Sequence, residues 1–178
     1  VELLNVKKHP VSKQNIIDGI EEVEFDMGIE FERLQRLAVE SSLNNKISVI
    51  TGGPGTGKST IIKAIINAWI KSYRGNMEDA GDYVILCAPT GKASRRMAEL
   101  TGCEAITIQK LIANKTDDIC DNKLLIIDES SMIDIYLAQS IMKMTSEHDM
   151  HLVFIGDTHQ LPPIGPGNFF KDMVDSPC

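Results

Sequence analysis

The sequence has no CxxC pair. Its four cysteines, Cys87, Cys103, Cys120 and Cys178, stand apart. That spacing argues against a zinc or dithiol motif and for reduced thiols in a cytoplasmic protein. His148 and His151 form an HxxH with no third or fourth ligand nearby, so a metal centre is not expected there. No run approaches the ~20 apolar residues of a membrane span, and no membrane partner is expected. The first residues, VELLNVKKHP, lack the basic-then-apolar layout of a signal peptide. They also lack a Met, and the chain stops at Cys178 just after a helical-looking stretch, so a fragment cut at both ends is expected. There are no repeats and no low-complexity tracts.

An excess of positive charge is also missing. The formal net charge is −7 and the sequence pI is near 5.1. This excludes a protein that coats nucleic acid by bulk electrostatics. A narrow basic track remains open, and Lys92, Arg95, Arg96 and Lys110 cluster with only Glu99 and Glu104 among them. What is present is 178 residues, 43% hydrophobic and 24% charged. That suits about one globular domain with a proper core.

The pattern along the chain alternates. Residues 10–28 predict a helix with Ile16, Ile17, Ile20 and Val23 on one face, made acidic by Glu21, Glu22, Glu24 and Asp26. A second helix is expected over 31–44, with Phe31, Leu34, Leu37, Ala38 and Leu43 as its apolar positions. Apolar strands are expected at 47–50, 83–87, 124–127 and 152–155, and helices at 61–70, 92–100 and 133–144. Residues 75–82 are polar and read as a surface loop. Apolar strands alternating with helices predict an α/β fold: a mostly parallel sheet with helices on both faces.

The first strand runs into TGGPGTGKST, residues 51–60, which matches G-x-x-x-x-G-K-[ST] at Gly52, Gly57, Lys58 and Ser59. Glycines let the backbone curl until successive N–H groups converge on one anion. The helix that follows adds its N-terminal dipole. Gly53, Pro54, Gly55, Thr56, Gly57, Lys58, Ser59 and Thr60 are therefore the expected cradle for the phosphates of ATP. Lys58 can neutralise the β- and γ-phosphates, and the Ser59 hydroxyl can ligate Mg²⁺.

Hydrolysis needs an acid for the metal and a group to orient water. The strand LLII ends in Asp128-Glu129. Asp128 is the expected metal anchor and Glu129 the expected base, at the strand edge where α/β sheets bind ligands. The last strand ends in GDTHQLPP. Gln160 is placed to reach the γ-phosphate or the attacking water, in a loop stiffened by Pro162 and Pro163.

These blocks, in this order, resemble the first motor lobe of a superfamily 1 (1B) DNA helicase of the RecD/TraA type. The resemblance runs over about 31–178 through FERLQRLAVE, ITGGPGTGKST, CAPTGKASRRMAELTG, ITIQKLI, LLIIDESSMID and FIGDTHQLPPIGPG. It implies a RecA-like P-loop ATPase lobe at 31–178, with 1–30 an N-terminal helical segment or the end of a preceding domain. It implies that Gln35 recognises adenine, that Pro89, Thr90, Gly91, Lys92 and Ala93 grip single-stranded DNA, and that Thr107 lies in a second DNA segment. The GDxxQLPP form implies 5′ to 3′ movement, with duplex unwinding in recombination, repair or conjugation. Gln109 stands where family members usually carry a histidine. The second motor lobe, with its arginine fingers, is missing, so this chain alone is expected to bind ATP and hydrolyse it weakly. The resemblance also raises nuclease or helicase subunits as partners.

Two other readings fit a P-loop. One is a phosphotransferase, which needs an acceptor pocket and an arginine-bearing lid. The other is a nucleotide-regulated binding module that does not hydrolyse.

Overall fold

A computed structural model describes residues 11–73, 75, 77–113 and 122–176. Cys120 and Cys178, and the Pro10 start of the first expected helix, lie outside the described residues.

Helix α1 spans Lys13–Met27 and α2 spans Arg33–Asn44. They are followed by β1 (Ile47–Thr51), α3 (Lys58–Ser72), a short α4 (Ala80–Tyr83) and β2 (Val84–Ala88). Next come α5 (Gly91–Thr101), β3 (Ala105–Thr107), α6 (Ile108–Ala113) and β4 (Leu124–Ile127). The last elements are α7 (Ile135–Glu147), β5 (His151–Gly156) and α8 (Phe169–Asp175). Among the described residues five strands lie in the order β1-β5-β4-β2-β3, and every pairing is parallel.

The apolar runs divide between the two sheet faces as the period of two requires. In β4, Leu124 and Ile126 join the core beneath α1 and α3. Leu125 and Ile127 join the core beneath α6, α7 and α8. Because both faces are covered, all four are fully buried. Cys87 sits in the second core, where burial pushes its thiol up to about 12.

Helix α1 is capped by the Ser12 hydroxyl, which accepts from Asn15 N at 3.1 Å, and by Gly28 in the left-handed region, φ 62°. Ile16, Ile20 and Val23 are buried with α3 in the first core. Gly19 permits the approach, since a Cβ there would lie 2.7 Å from Ala68 N. The helix expected at 10–28 thus shares the core of the lobe.

Several expectations need correction. Ile17 is exposed, because the buried stripe is 16/20/23 and Ile17 lies about 100° round the helix from Ile16. Leu34 and Leu37 are exposed at 74% and 55%; Leu43 is buried as expected, and Val39 and Ser42 are buried with it. A capping box between Glu32 and Gln35 closes the start of the helix. Helix α3 is buried on most sides rather than one. Residues 75–82 hold a one-turn 3₁₀ helix, Met77–Asp79, and most of α4. Tyr83 ends α4, and its carbonyl accepts from Trp69 Nε1 at 3.1 Å.

Candidate nucleotide site

The loop after β1 is tied to its neighbour by Gly52 N, which donates to Gly156 O at 3.1 Å. Gly55 and Gly57 turn the backbone with φ of 76° and 80°. The left-handed backbone at Gly57 favours glycine, whereas a Cβ there would meet only the far end of the flexible Gln35 side chain, which can move aside. Thr56 Oγ1 donates to Gly53 O at 2.9 Å and closes the loop on itself. The Lys58 ammonium donates to the carbonyls of Gly52 and Gly53 at 2.6 and 2.9 Å, which holds the charge over the loop.

Strand β4 delivers Asp128, whose N–H donates to Cys87 O at 3.0 Å. Its Oδ1 accepts from Glu129 N at 2.9 Å. Burial pushes the Asp128 carboxyl above the usual carboxylate range; the Glu129 N–H, Lys58 and Arg96 pull the other way, and the Glu129 charge adds to the rise. Glu129 has φ 55° and ψ 37°, a left-handed conformation rare for a non-glycine and costing on the order of 1 kcal/mol. A 3₁₀ turn, Ser130–Met132, follows at once, and Ser130 Oγ donates to Ile127 O at 2.8 Å.

Beyond β5, the buried Asp157 anchors the next turn. Its carboxylate accepts from His159 N at 2.9 Å and its carbonyl from Gln160 N at 3.1 Å. Gln160 Oε1 accepts from Ser131 Oγ at 3.2 Å.

These three strand ends meet around one cavity of about 510 Å³. Pro54, Gly55, Gly57, Lys58, Ser59, Thr60, Asp128, Glu129 and Gln160 all line it. Gly53 and Thr56 build the loop without lining the cavity. Gln35 stands behind the loop, outside the lining. Its Nε2 donates to Thr56 O at 3.1 Å and its Oε1 accepts from Glu32 N at 2.9 Å. Both ends of its amide are thereby engaged by backbone.

The segment expected to meet a strand splits. Gly91 and Lys92 line a second concavity of about 460 Å³ with Arg95, Arg96 and Glu99. Ala93 lines the first cavity instead. Pro89, Thr90 and Thr107 line neither. Thr90 caps α5, accepting from Ala93 N at 3.2 Å, and Thr107 accepts from Lys110 N at 3.2 Å. Thr107 is the last rung of the β2/β3 ladder, where it pairs with Ala88, and Thr90 lies two residues beyond that rung. Gln109 is exposed on α6 and lines neither cavity.

Arg96 and Ser131 are the site residues that motif reading misses. The periodicity of α5 carries a signal for Arg96, since Ala93, Arg96, Met97 and Leu100 repeat at i, i+3, i+4 and i+7. They form one stripe along the cavity. For Ser131 no local signal exists, because its partner lies 29 positions away.

Among the described residues no cluster of three or more His, Cys, Asp or Glu could hold a metal alone. Ser59 and Asp128 face one cavity, a hydroxyl and a carboxylate. That donor set fits Mg²⁺, which keeps waters and shares substrate phosphates. No helix among the described residues is long and apolar enough to cross a membrane.

The family described as "AAA domain" matches residues 35–166. The RecBCD enzyme subunit RecD of Buchnera aphidicola subsp. Schizaphis graminum is 36% identical over 165 residues, covering 78% of this chain and 26% of that protein. The ATP-dependent RecD2 DNA helicase of Deinococcus radiodurans is 36% identical over 140 residues, covering 75% of this chain and 18% of that protein. The chain thus spans about a quarter or less of the length of these relatives. The crystal structure of the UvsW helicase from bacteriophage T4 superposes with a TM-score of 0.57 at 16% identity, covering 72% of this chain and 53% of that one. That likeness shows the RecA-like fold.

Proposed function

The chain belongs to the AAA-domain family as a motor domain of the RecD helicase type, and from that premise we propose that it is an ATP-driven lobe moving single-stranded DNA. One observation carries this reading. Lys58, Ser59, Asp128, Glu129 and Gln160 come from three separate strand ends and line a single cavity.

In this reading the curled loop and Lys58 hold the β- and γ-phosphates. Ser59 and Asp128 hold Mg²⁺, which when bound neutralises charge developing on the phosphates. Glu129 orients water, and Gln160 senses whether the terminal phosphate is present. Gln35 positions the loop by its bond to Thr56 O, beside the adenine contact that the resemblance implies. Pro89, Thr90, Gly91, Lys92, Ala93 and Thr107 form the strand track at the β2/β3 end of the same sheet edge.

The finer parts of the proposal rest on the resemblance. Movement runs 5′ to 3′ and unwinds duplex DNA. Residues 31–178 form the lobe, with 1–30 its N-terminal helical segment. The 178-residue chain alone binds ATP but turns it over slowly. A second lobe supplies arginine fingers, a contribution of ~10³–10⁵ in rate. Further subunits are candidate partners, since one relative is named as a subunit of the RecBCD enzyme. The protein acts in the cytoplasm.

The test is phosphate release by the intact protein with and without single-stranded DNA. Stimulation by DNA supports the motor. A phosphotransferase would need its own acceptor and ignore DNA. For a non-hydrolysing module, Glu129→Gln would leave function intact, and that result would remove the hydrolytic reading.

A further inference from the structure

Helix α5 faces two sites at once. Ala93, Met97 and Leu100 line the nucleotide cavity, whereas Lys92, Arg95 and Glu99 line the second concavity. Arg96 is common to both linings. Its guanidinium makes no hydrogen bond and no ion pair within 4 Å among the described residues, although Asp128 lies within range of its charge. It is exposed, so nothing in the fold fixes its position.

An unpaired guanidinium in a cavity that a phosphate-binding loop also lines has a clear chemical use. Its planar fork matches the oxygens of a phosphate, and its charge adds to that of Lys58. Lys58 is already tethered to Gly52 and Gly53 on the loop side. Arg96 lines the same cavity as Asp128, Glu129 and Gln160, close enough for its charge to act on Asp128. The far end of the phosphate chain is the part it would reach. We propose that Arg96 binds the terminal phosphate of the nucleoside triphosphate and that, being shared with the second concavity, it makes that concavity's hold on a polyanionic strand depend on the nucleotide.

With ATP bound, Arg96 is drawn to the phosphate and withdrawn from the second concavity, leaving Lys92 and Arg95 to hold the strand. With ADP bound, Arg96 returns to the strand. The coupling needs only a side-chain swing, because both positions border the same residue. Helix α5 need not move. A switch of one charge between two sites gives ATP and strand opposing effects through this residue. This inference rests on the nucleotide reading above, and its test separates the two.

The experiment uses the intact protein with fluorescent ATP-analogue and ADP binding, and oligo-dT binding at fixed salt in the presence of each nucleotide. Arg96→Gln is expected to weaken the ATP analogue roughly tenfold to a hundredfold, the scale of one charge-assisted contact, while leaving ADP within about twofold. Arg96→Lys should recover part of the loss, since it keeps the charge without the fork. Oligo-dT should bind more tightly with ADP than with the ATP analogue in the wild type, and this difference should vanish in Arg96→Gln. Equal loss of both nucleotides, or unchanged discrimination, overturns the assignment. A wild-type strand affinity blind to the nucleotide overturns the coupling. Lys58→Ala is the reference: if it keeps ATP affinity, the nucleotide reading itself fails, whereas its loss beside a normal Arg96→Gln condemns the Arg96 proposal alone.

Discussion

The Ser131 hydroxyl donates to Gln160 Oε1 at 3.2 Å, joining the turn after Glu129 to the loop after β5. Two strands are thereby linked at the cavity through side chains rather than backbone. Ser131→Ala should leave ATP affinity within about threefold, because the bond is worth only ~0.5–1.5 kcal/mol. DNA-stimulated turnover should fall, since Gln160 loses its orientation. Gln160→Ala should bind ATP near normally and uncouple hydrolysis from DNA. The double variant should match Gln160→Ala alone, because both changes remove one bond. Additive losses in a double-mutant cycle would show that Ser131 acts elsewhere.

Lys58 and Glu129 divide binding from chemistry. Lys58→Ala should abolish measurable ATP binding by calorimetry, as its ammonium spans the loop carbonyls of Gly52 and Gly53. Glu129→Gln should bind ATP as the wild type does and lose about 10²–10⁴ in turnover, the usual contribution of a positioned base. If Glu129→Gln turned ATP over normally, water orientation would have to be assigned to another group.

The Asp128 carboxyl gives a pH signature. Burial holds it above its ordinary range in the fold, a penalty absent in the unfolded chain. The native state therefore binds that proton more tightly. Its stabilising contribution is fully present below the unfolded pKa and lost as pH rises through the raised one. Asp128→Asn should then melt at a higher temperature than wild type at neutral pH, with the gap closing as pH falls toward the ordinary carboxylate range. An Asn keeps the acceptor for Glu129 N. Stabilisation by Mg²⁺ and ATP together should be smaller in the variant. A pH-independent gap, or a less stable variant at neutral pH, contradicts this account.

The parallel sheet and the nucleotide cavity are legible in the sequence because each strand is continuously apolar and each ends in a chemical group. LLII followed by Asp128-Glu129 needs nothing further to be placed. Faces of the flanking helices are less legible. Leu34 and Leu37 look like core and are exposed, because the stripe that α2 buries runs through Val39, Ser42 and Leu43 near its end. The three-residue strand β3 is too short for alternation to register. It exists because β2 offers it a partner along Leu86, Cys87 and Ala88. Arg96 reads as one more basic residue in a cluster; its place on the Ala93, Met97 and Leu100 stripe separates it from Arg95, but only the placement of α5 beside the cavity shows what that stripe faces.

Gly57 carries two constraints that separate in a double variant. Its φ of 80° disfavours any side chain, at about 1–2 kcal/mol. Its missing Cβ leaves room for Gln35 Nε2. Gly57→Ala should lower the melting temperature, by about 2–4 °C for each kcal/mol in a chain of this size. Against a Gln35→Ala baseline, which itself loses the capping box and the bond to Thr56 O, Gly57→Ala should cost less by the part due to the clash. No remaining cost would mean that the backbone carries no strain.

Gly19 tests whether α1 is part of the lobe's structure. A Cβ there would meet Ala68 N at 2.7 Å and Ala68 Cβ at 2.8 Å, both on the rigid helix α3. The approach cannot be relieved by a rotamer change, so α1 must shift as a body and open the packing of Ile16, Ile20 and Val23. Gly19→Val should cost about 1–3 kcal/mol, the range for overpacking. It should also raise the hydrogen exchange of α1 amides before those of β4 and β5. Because α3 begins at Lys58, a shifted α3 would weaken ATP binding too, whereas displacement of α1 alone would leave it intact. Unchanged stability together with unchanged exchange would mean that α1 rests on the lobe without holding it.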